Sequence, residues 1–375
     1  MSTETLTLFL GGDLMTGRGI DQILPHPNDP VLYESYVRDA GVYVELAEAA
    51  NGPIPAPVSF DYIWGDALDL LARIRPDARI VNLETAVTSS DVPWPGKGIN
   101  YRMHPKNVPA LTAAALDCCV LANNHVLDWG HGGLAETLVS LRDAGMIVAG
   151  AGRNAVEAAA PAVLEPGGGR RVLVFAAGAP TSGIPAPWAA GRETPGVDLM
   201  SDLSDHTLAE LGARVAAVKQ PGDLAVASLH WGGNWGYELS PGERRFAHAL
   251  IDHAGMDLVH GHSSHHARGI EVYHGHAIIY GCGDLLNDYE GIEGYEGFRA
   301  DLPLLYWPRL EPDTGRLVEM QMTPMRIRRM RLERASEQES HWLQATLDRE
   351  SRRLGAGVER TPDGSLAVRW QSDRE

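Results

Sequence analysis

The sequence predicts an α/β fold with much parallel sheet, and three observations carry that prediction. Short apolar runs rich in strand formers alternate with helical patterns along most of the chain. The 375 residues, 44% of them hydrophobic, suffice for one large layered core with an appended tail. Five of the apolar runs end in clusters of oxygen or imidazole donors, where parallel strands present ligands at their carboxyl ends.

The apolar runs are Leu6–Leu10, Ala78–Val81, Cys118–Leu121, Ile147–Ala149, Arg171–Ala176, Leu224–Leu229, Met256–Val259 and Ala277–Tyr280. Helical patterns lie between several of them, at Ala67–Arg73, Leu134–Ala144, Thr207–Val218 and Pro241–Ala254. Two segments poor in regular signals, Pro25–Phe60 and Thr88–Pro109, read as insertions or substrate-facing loops. Residues 1–323 form the main domain. From 324 to 375 the chain reads as a C-terminal helical extension packed on the core, with an amphipathic helix over Glu337–Leu354 and a last short strand over Leu366–Trp370.

A formal charge of −17 argues against a general nucleic-acid binder, which needs a basic face. It leaves room for an anionic small substrate, because a metal ion and a few arginines can reverse the field within one cleft. Cys118, Cys119 and Cys282 form neither a disulfide framework nor a metal-type pair. The Met-Ser-Thr-Glu start lacks the basic residues and long apolar stretch of an export signal, and no run approaches the roughly 20 apolar residues of a transmembrane helix. The expectation is a cytoplasmic protein without a transmembrane segment. Its oligomeric state is not legible.

The strand-end residues carry the chemistry. Asp13 follows the first run, Glu84 the second, Asn124 and His125 the third, and His230 the run Leu224–Leu229. Nine of the 15 histidines fall between His230 and His276, and His262 and His265 stand in the densest part. Two carboxylates, one amide and four imidazoles suit a divalent metal, as one ion or as two sharing a carboxylate; Mn, Zn, Fe and Ca are not distinguished. Such ions make a nucleophile from water near neutral pH and take up charge on a leaving group, which points to hydrolysis of a phosphoester or amide.

These motifs resemble the CapA family, associated with poly-γ-glutamate capsule synthesis. The resemblance rests on Gly12-Asp13-Leu-Met-Thr-Gly-Arg18, Asn82-Leu-Glu84, Asn123-Asn124-His125-Val-Leu-Asp128-Trp-Gly130, His230-Trp-Gly and Gly261-His262-Ser-Ser-His265, in order across roughly residues 5 to 300. It implies a fold similar to the calcineurin-like metallophosphatases, with two packed mixed β-sheets flanked by helices in an αββα sandwich. It further implies that Asp13 binds a first metal, that Glu84 bridges, that Asn124 and His230 bind a second, and that His262 and His265 complete the sites. His125 would be the acid that protonates a leaving group. The chain departs from that pattern at Met15, where phosphatases of this fold carry a histidine, and in having two residues between the last histidines. One ion or two therefore stays open.

Around these lie weaker candidates. Arg18 and Arg102 could clamp a carboxylate or phosphate. Lys97, Asn100 and Tyr101 share the Arg102 loop and are candidates for substrate contact with it. Asp128 orients His125 or caps the following helix. Trp231 walls a pocket or belongs to the core. Asp284, beyond a glycine-rich stretch, is a further candidate for the cleft, and His260, His266, His274 and His276 read as supporting or surface groups. Three functions fit: a metal-dependent hydrolase of a phosphoester or peptide-like γ-glutamyl amide; a metal-dependent peptide epimerase, since CapA-like proteins also resemble those of lasso-peptide pathways; or a non-catalytic metal-binding scaffold in capsule or envelope polymer synthesis.

Overall fold

The computed structural model of the chain describes residues 5–371. The apolar runs become strands, and several of these extend into the polar residues that follow. The first spans Leu6–Leu14, the second Ala78–Leu83, and two later ones Leu224–His230 and Leu258–His262. Asp13, His230 and His262 thus sit on strand backbone, where ladder hydrogen bonds fix them, rather than on free loops.

Among the described residues the larger sheet has ten strands. Its main path runs Ala356–Arg360, Leu366–Trp370, Leu317–Ile327, Leu304–Leu310, Leu6–Leu14, Ala78–Leu83, Cys118–Val120 and Ile147–Ala149; Asp284–Leu286 pairs with the first strand and Leu332–Arg334 with Leu317–Ile327. The half from Leu6–Leu14 to Ile147–Ala149 is parallel and the other half antiparallel. A six-stranded sheet follows the order Ile270–Tyr273, His276–Ile279, Leu258–His262, Leu224–His230, Arg170–Gly178 and Ala162–Gly167, its four central strands parallel.

Period-two alternation sends neighbouring side chains of one strand into different cores. Leu8 and Leu10 of the first strand meet Val174, Val226 and Ile279 between the sheets. Phe9 instead joins Leu70, Leu71, Leu134 and Leu138 of the helices Ala67–Ile74 and Gly130–Asp143. On the far side of the smaller sheet, Leu173, Phe175 and Val259 pack on Leu211, Val215, Phe246 and Leu250 of the helices Asp205–Val218 and Pro241–Asp252. Helix, sheet, sheet, helix is the expected sandwich, and each fully buried aliphatic or aromatic side chain contributes about 1.5–3 kcal/mol to it. No helix among the described residues is long and apolar enough to cross a membrane.

Two expectations need correction. The segment Pro25–Phe60 is not all loop: Gly41–Asn51 is a helix that buries Tyr43 and Ala47. Nor does a helical extension begin at 324, because the strand Leu317–Ile327 runs through that position, pairing with Leu304–Leu310 up to Pro324 and with Leu332–Arg334 beyond it. The helix Glu337–Arg352, started by a capping box between Ser336 and Glu339, inserts Leu343 and Leu347 into the core between the sheets. The strands Ala356–Arg360 and Leu366–Trp370 then extend the larger sheet. Leu366–Trp370 is the expected last strand, whereas Ala356–Arg360 offers only Val358 as a large apolar residue and ends in Glu359 and Arg360.

Gly12 shows how tightly the site end of the fold is packed. The first strand changes register between Gly11 and Asp13, and a Cβ at Gly12 would lie 1.8 Å from the Gly283 carbonyl oxygen. Gly12→Ala is therefore expected to force the first strand away from its neighbour and to cost about 1–3 kcal/mol. Urea unfolding checks this, and an unchanged midpoint would contradict it.

Candidate metal centre

The parallel strands of both sheets point their carboxyl ends at one place. Asp13 stands in register with Asn82 on one neighbour and with Asp284 on the other. His230 and His262 are paired likewise in the second sheet. Asp13 is fully buried; Asn82 Nδ2 donates to its Oδ1 at 2.8 Å, and the Ser263 amide donates to its Oδ2 at 3.2 Å. Ser263 takes φ 97°, a left-handed conformation uncommon for a residue with a side chain, and this turn aims its amide at the carboxylate.

Among the described residues two groups could each hold an ion: Asp13 with His230 and His262, and Asp13 with His265 and Asp284. In each, the ligand atoms lie within 4.8 Å of one another. The nitrogens His230 Nδ1 and His262 Nδ1 are 2.9 Å apart, and His230 Nε2 is 3.2 Å from Asn124 Oδ1. His265 Nδ1 is 2.9 Å from Asp284 Oδ1, while Asn287 Nδ2 donates to the other Asp284 oxygen. The shared corner is Asp13, whereas the resemblance implied Glu84. Glu84 lies beside it, with Oε1 at 3.8 Å from His125 Nε2 and 3.9 Å from His230 Nε2.

The electrostatics test whether a cation fits. Among the described residues, Asp13, Glu84 and Asp284 have only histidines as ion-pair partners. Glu84 Oε2 is buried without a hydrogen-bond partner. Burial, then the Asp284 charge, pushes Asp13 up to about 7. Burial and Asp13 together raise Glu84 well above the usual carboxylate range. Burial also holds His230 and His262 far below the usual imidazole range, so both are neutral. For His265 burial opposes the charged form, but the Asp284 carboxylate outweighs it and the net shift is upward. Neutral imidazoles beside crowded carboxylates are the donor set of a divalent ion, whose charge would remove the repulsion.

His125 sits at the rim of this centre. Its Nδ1 is 2.6 Å from Asp128 Oδ2, Lys97 Nζ is 2.7 Å from the other oxygen, and the Tyr101 amide donates to Asp128 as well. Asn100 Nδ2 donates to the Asp128 carbonyl. The next helix starts at Gly130 with no side-chain cap, so the Asp128 carboxylate serves His125. Burial lowers His125 to about 4 although Asp128 pulls the other way. Lys97, Asn100 and Tyr101 thus build the setting of His125.

Three expected substrate contacts have their polar groups engaged by the protein itself. Arg18 is buried, with its guanidinium on both Asp288 oxygens, on Glu34 and on the Tyr43 hydroxyl, which leaves no fork for a substrate. Arg102 stacks on Trp129 and bonds Asp91 and the carbonyls of Ser90 and Asp29, closing its own loop. Trp231 donates to the Tyr280 carbonyl and belongs to the core outside the smaller sheet. Conversely, Asp284 enters a candidate ion group. Asn82, Ser228 and His260 support the centre: Ser228 Oγ lies 3.1 Å from His262 Nε2 and 3.0 Å from His260 Nδ1, and His260 Nε2 lies 3.0 Å from the Gly11 carbonyl across the sheets. The signal for Asp284 was the glycine-rich stretch before it; for Ser228 and His260 it was only their place two residues before a ligand-type histidine on each strand.

Several known proteins are similar to this chain. The family model described as "Bacterial capsule synthesis protein PGA_cap" matches residues 7–289. A probable polyglutamine synthesis accessory protein of Mycobacterium tuberculosis is 50% identical over 366 residues, 97% of this chain and 96% of that protein. The capsule biosynthesis protein CapA of Bacillus anthracis is 26% identical over 76% of this chain and 60% of its own length. Among solved structures, a novel phosphatase of Mycoplasma pneumoniae superposes with a TM-score of 0.47 at 11% identity, covering 86% of this chain and 94% of that one.

Added Mn²⁺ or Zn²⁺ is expected to raise the thermal midpoint, by an increment that grows between about pH 6 and about pH 8, because the ion must displace protons retained by Asp13 and Glu84. Scanning calorimetry at fixed ion concentration checks it; an increment that is flat or larger at low pH would contradict it. Asp13→Ala should abolish ion binding in calorimetric titrations, whereas Asp284→Ala should leave the His230–His262 group binding. Equal losses in the two variants would refute a shared Asp13.

Proposed function

Since the chain belongs to the bacterial capsule synthesis family PGA_cap, we propose that it is a metal-dependent hydrolase of a phosphoester or peptide-like amide. The observation that carries this reading is His125, held at Nδ1 by Asp128 while Nε2 faces Glu84 and the ion groups. A scaffold that only stored an ion would have no use for a buried imidazole oriented in this way. The accessory role in the name of the mycobacterial relative supports a place beside polymer synthesis, and its 50% identity supports extending that role here.

Asp13, His230, His262, His265 and Asp284 would hold the ion or ions, with Glu84 and Asn124 completing them. When bound, a divalent ion would supply Lewis acidity toward the reacting oxygen and the developing charge. The chain's own groups handle the proton. With its Nδ1 proton donated to Asp128, the neutral His125 keeps Nε2 open to accept a proton from attacking water and to return it to the leaving group. Asp128 stabilises the imidazolium between those transfers, and Lys97, 2.7 Å from its other oxygen, holds Asp128 in place. Asn82 and Ser263 fix the Asp13 carboxylate throughout.

Chelation should remove hydrolysis of a phosphoester or amide substrate and Mn²⁺ or Zn²⁺ should restore it. His125→Ala should lower kcat by about 10²–10⁴-fold while ion binding persists. Turnover that survives chelation, or deuterium gained at an α-carbon without bond cleavage, would overturn the hydrolase reading.

A further inference from the structure

A cavity of about 770 Å³ opens beside the candidate metal centre and reaches it at His265. Its walls are aromatic and aliphatic. Tyr36, Ile99, Ile292 and Tyr295 are 67%, 38%, 43% and 51% exposed, and all four line this one cavity. Trp235 leads from the rim to the metal centre: it stacks on Tyr295 at 4.1 Å between ring centroids and lies 5.2 Å from the ring of His265. Deeper in, Tyr289 meets His265 edge-on at 5.4 Å, and its hydroxyl lies 3.2 Å from that of Tyr101. Contiguous exposed apolar surface leading to a polar centre marks a ligand site.

The charges of the wall narrow the ligand. Its arginines are engaged with protein carboxylates: Arg18 with Asp288 and Glu34, Arg299 with Asp301, and Arg326 with Glu339. Glu290, Glu296 and Asp301 line the same space. An anionic chain entering here would meet three carboxylates, and the guanidinium groups it met would already be shared with protein carboxylates. A flat or bulky uncharged group would instead displace water from Trp235, Tyr295 and Ile292 and stack on the indole.

We infer that this cavity is a specificity subsite that takes an uncharged aromatic or large apolar group of the substrate, next to the bond held at the Asp13–His265–Asp284 side. The inference rests on the hydrolase reading for the anchoring of the reacting group. It separates the substrate of this chain from a bare polyanion such as a γ-linked glutamate chain, whose side groups are all charged.

Hydrolysis-inert probes test it on the full chain loaded with Mn²⁺. Calorimetry is expected to show phenylphosphonate binding about tenfold or more tightly than methylphosphonate, from burial of the ring. Trp235→Ala combined with Tyr295→Ala, both at partly exposed positions, should cut that preference to about twofold or less. A γ-linked triglutamate should bind more weakly than phenylphosphonate. Equal affinity for the two phosphonates, binding of neither, a preference that survives the double substitution, or triglutamate as the tightest ligand would each overturn the inference. A phenyl preference in a protein that hydrolyses no phosphoester or amide would retain the subsite and defeat the hydrolase reading instead.

Discussion

Asp13 is buried where three strands of the larger sheet come into register, and its carboxylate has Glu84 and Asp284 as neighbours. That crowding is the constraint from which the rest of the site follows. A charge so placed must be neutralised by protonation, by hydrogen bonds or by a cation. Asn82 and Ser263 supply hydrogen bonds, yet Asp13 remains raised to about 7 and Glu84 keeps an unsatisfied oxygen. The sandwich is thus built to tolerate repulsion among the protein's own groups at one point, an arrangement that makes sense when a divalent ion is the missing partner.

The second sheet completes the arrangement because the core between the sheets fixes their separation. Leu8 and Leu10 on one side and Val226 and Leu258 on the other set the spacing below the site. At the strand ends the same spacing brings His230 and His262 to Asp13. His260 ties the two layers directly by reaching the Gly11 carbonyl. Packing, register and ligand geometry are in this way one problem: moving a strand by one residue would turn His262 and Asp13 to opposite faces.

Much of this was legible in the sequence. Apolar runs that stop at donor residues identify parallel strand ends, and Asp13, Glu84, Asn124, His125, His230, His262 and His265 do converge. What escaped depends on partners distant in sequence. Arg18 looks like an anion clamp until Asp288 and Glu34 fold against it, and Trp231 looks like a pocket wall until the Tyr280 carbonyl takes its N–H. Asp284 gained its importance from a short strand, Asp284–Leu286, too brief to show an alternating pattern. Past 324 the last strand Leu366–Trp370 was legible but its place in the larger sheet was not, and Ala356–Arg360 was hidden because it is short and ends in Glu359 and Arg360.

Asp13 would be the corner shared by two ion groups, one completed by His230 and His262 and the other by His265 and Asp284. Crystals grown with Mn²⁺ or Zn²⁺ and measured at the metal absorption edge test it most directly. Anomalous density is expected within about 2.0–2.3 Å of the Asp13 carboxylate, with imidazole nitrogens of those groups as further ligands. Ions bound away from Asp13, or no anomalous density at this junction of the sheets, would contradict it.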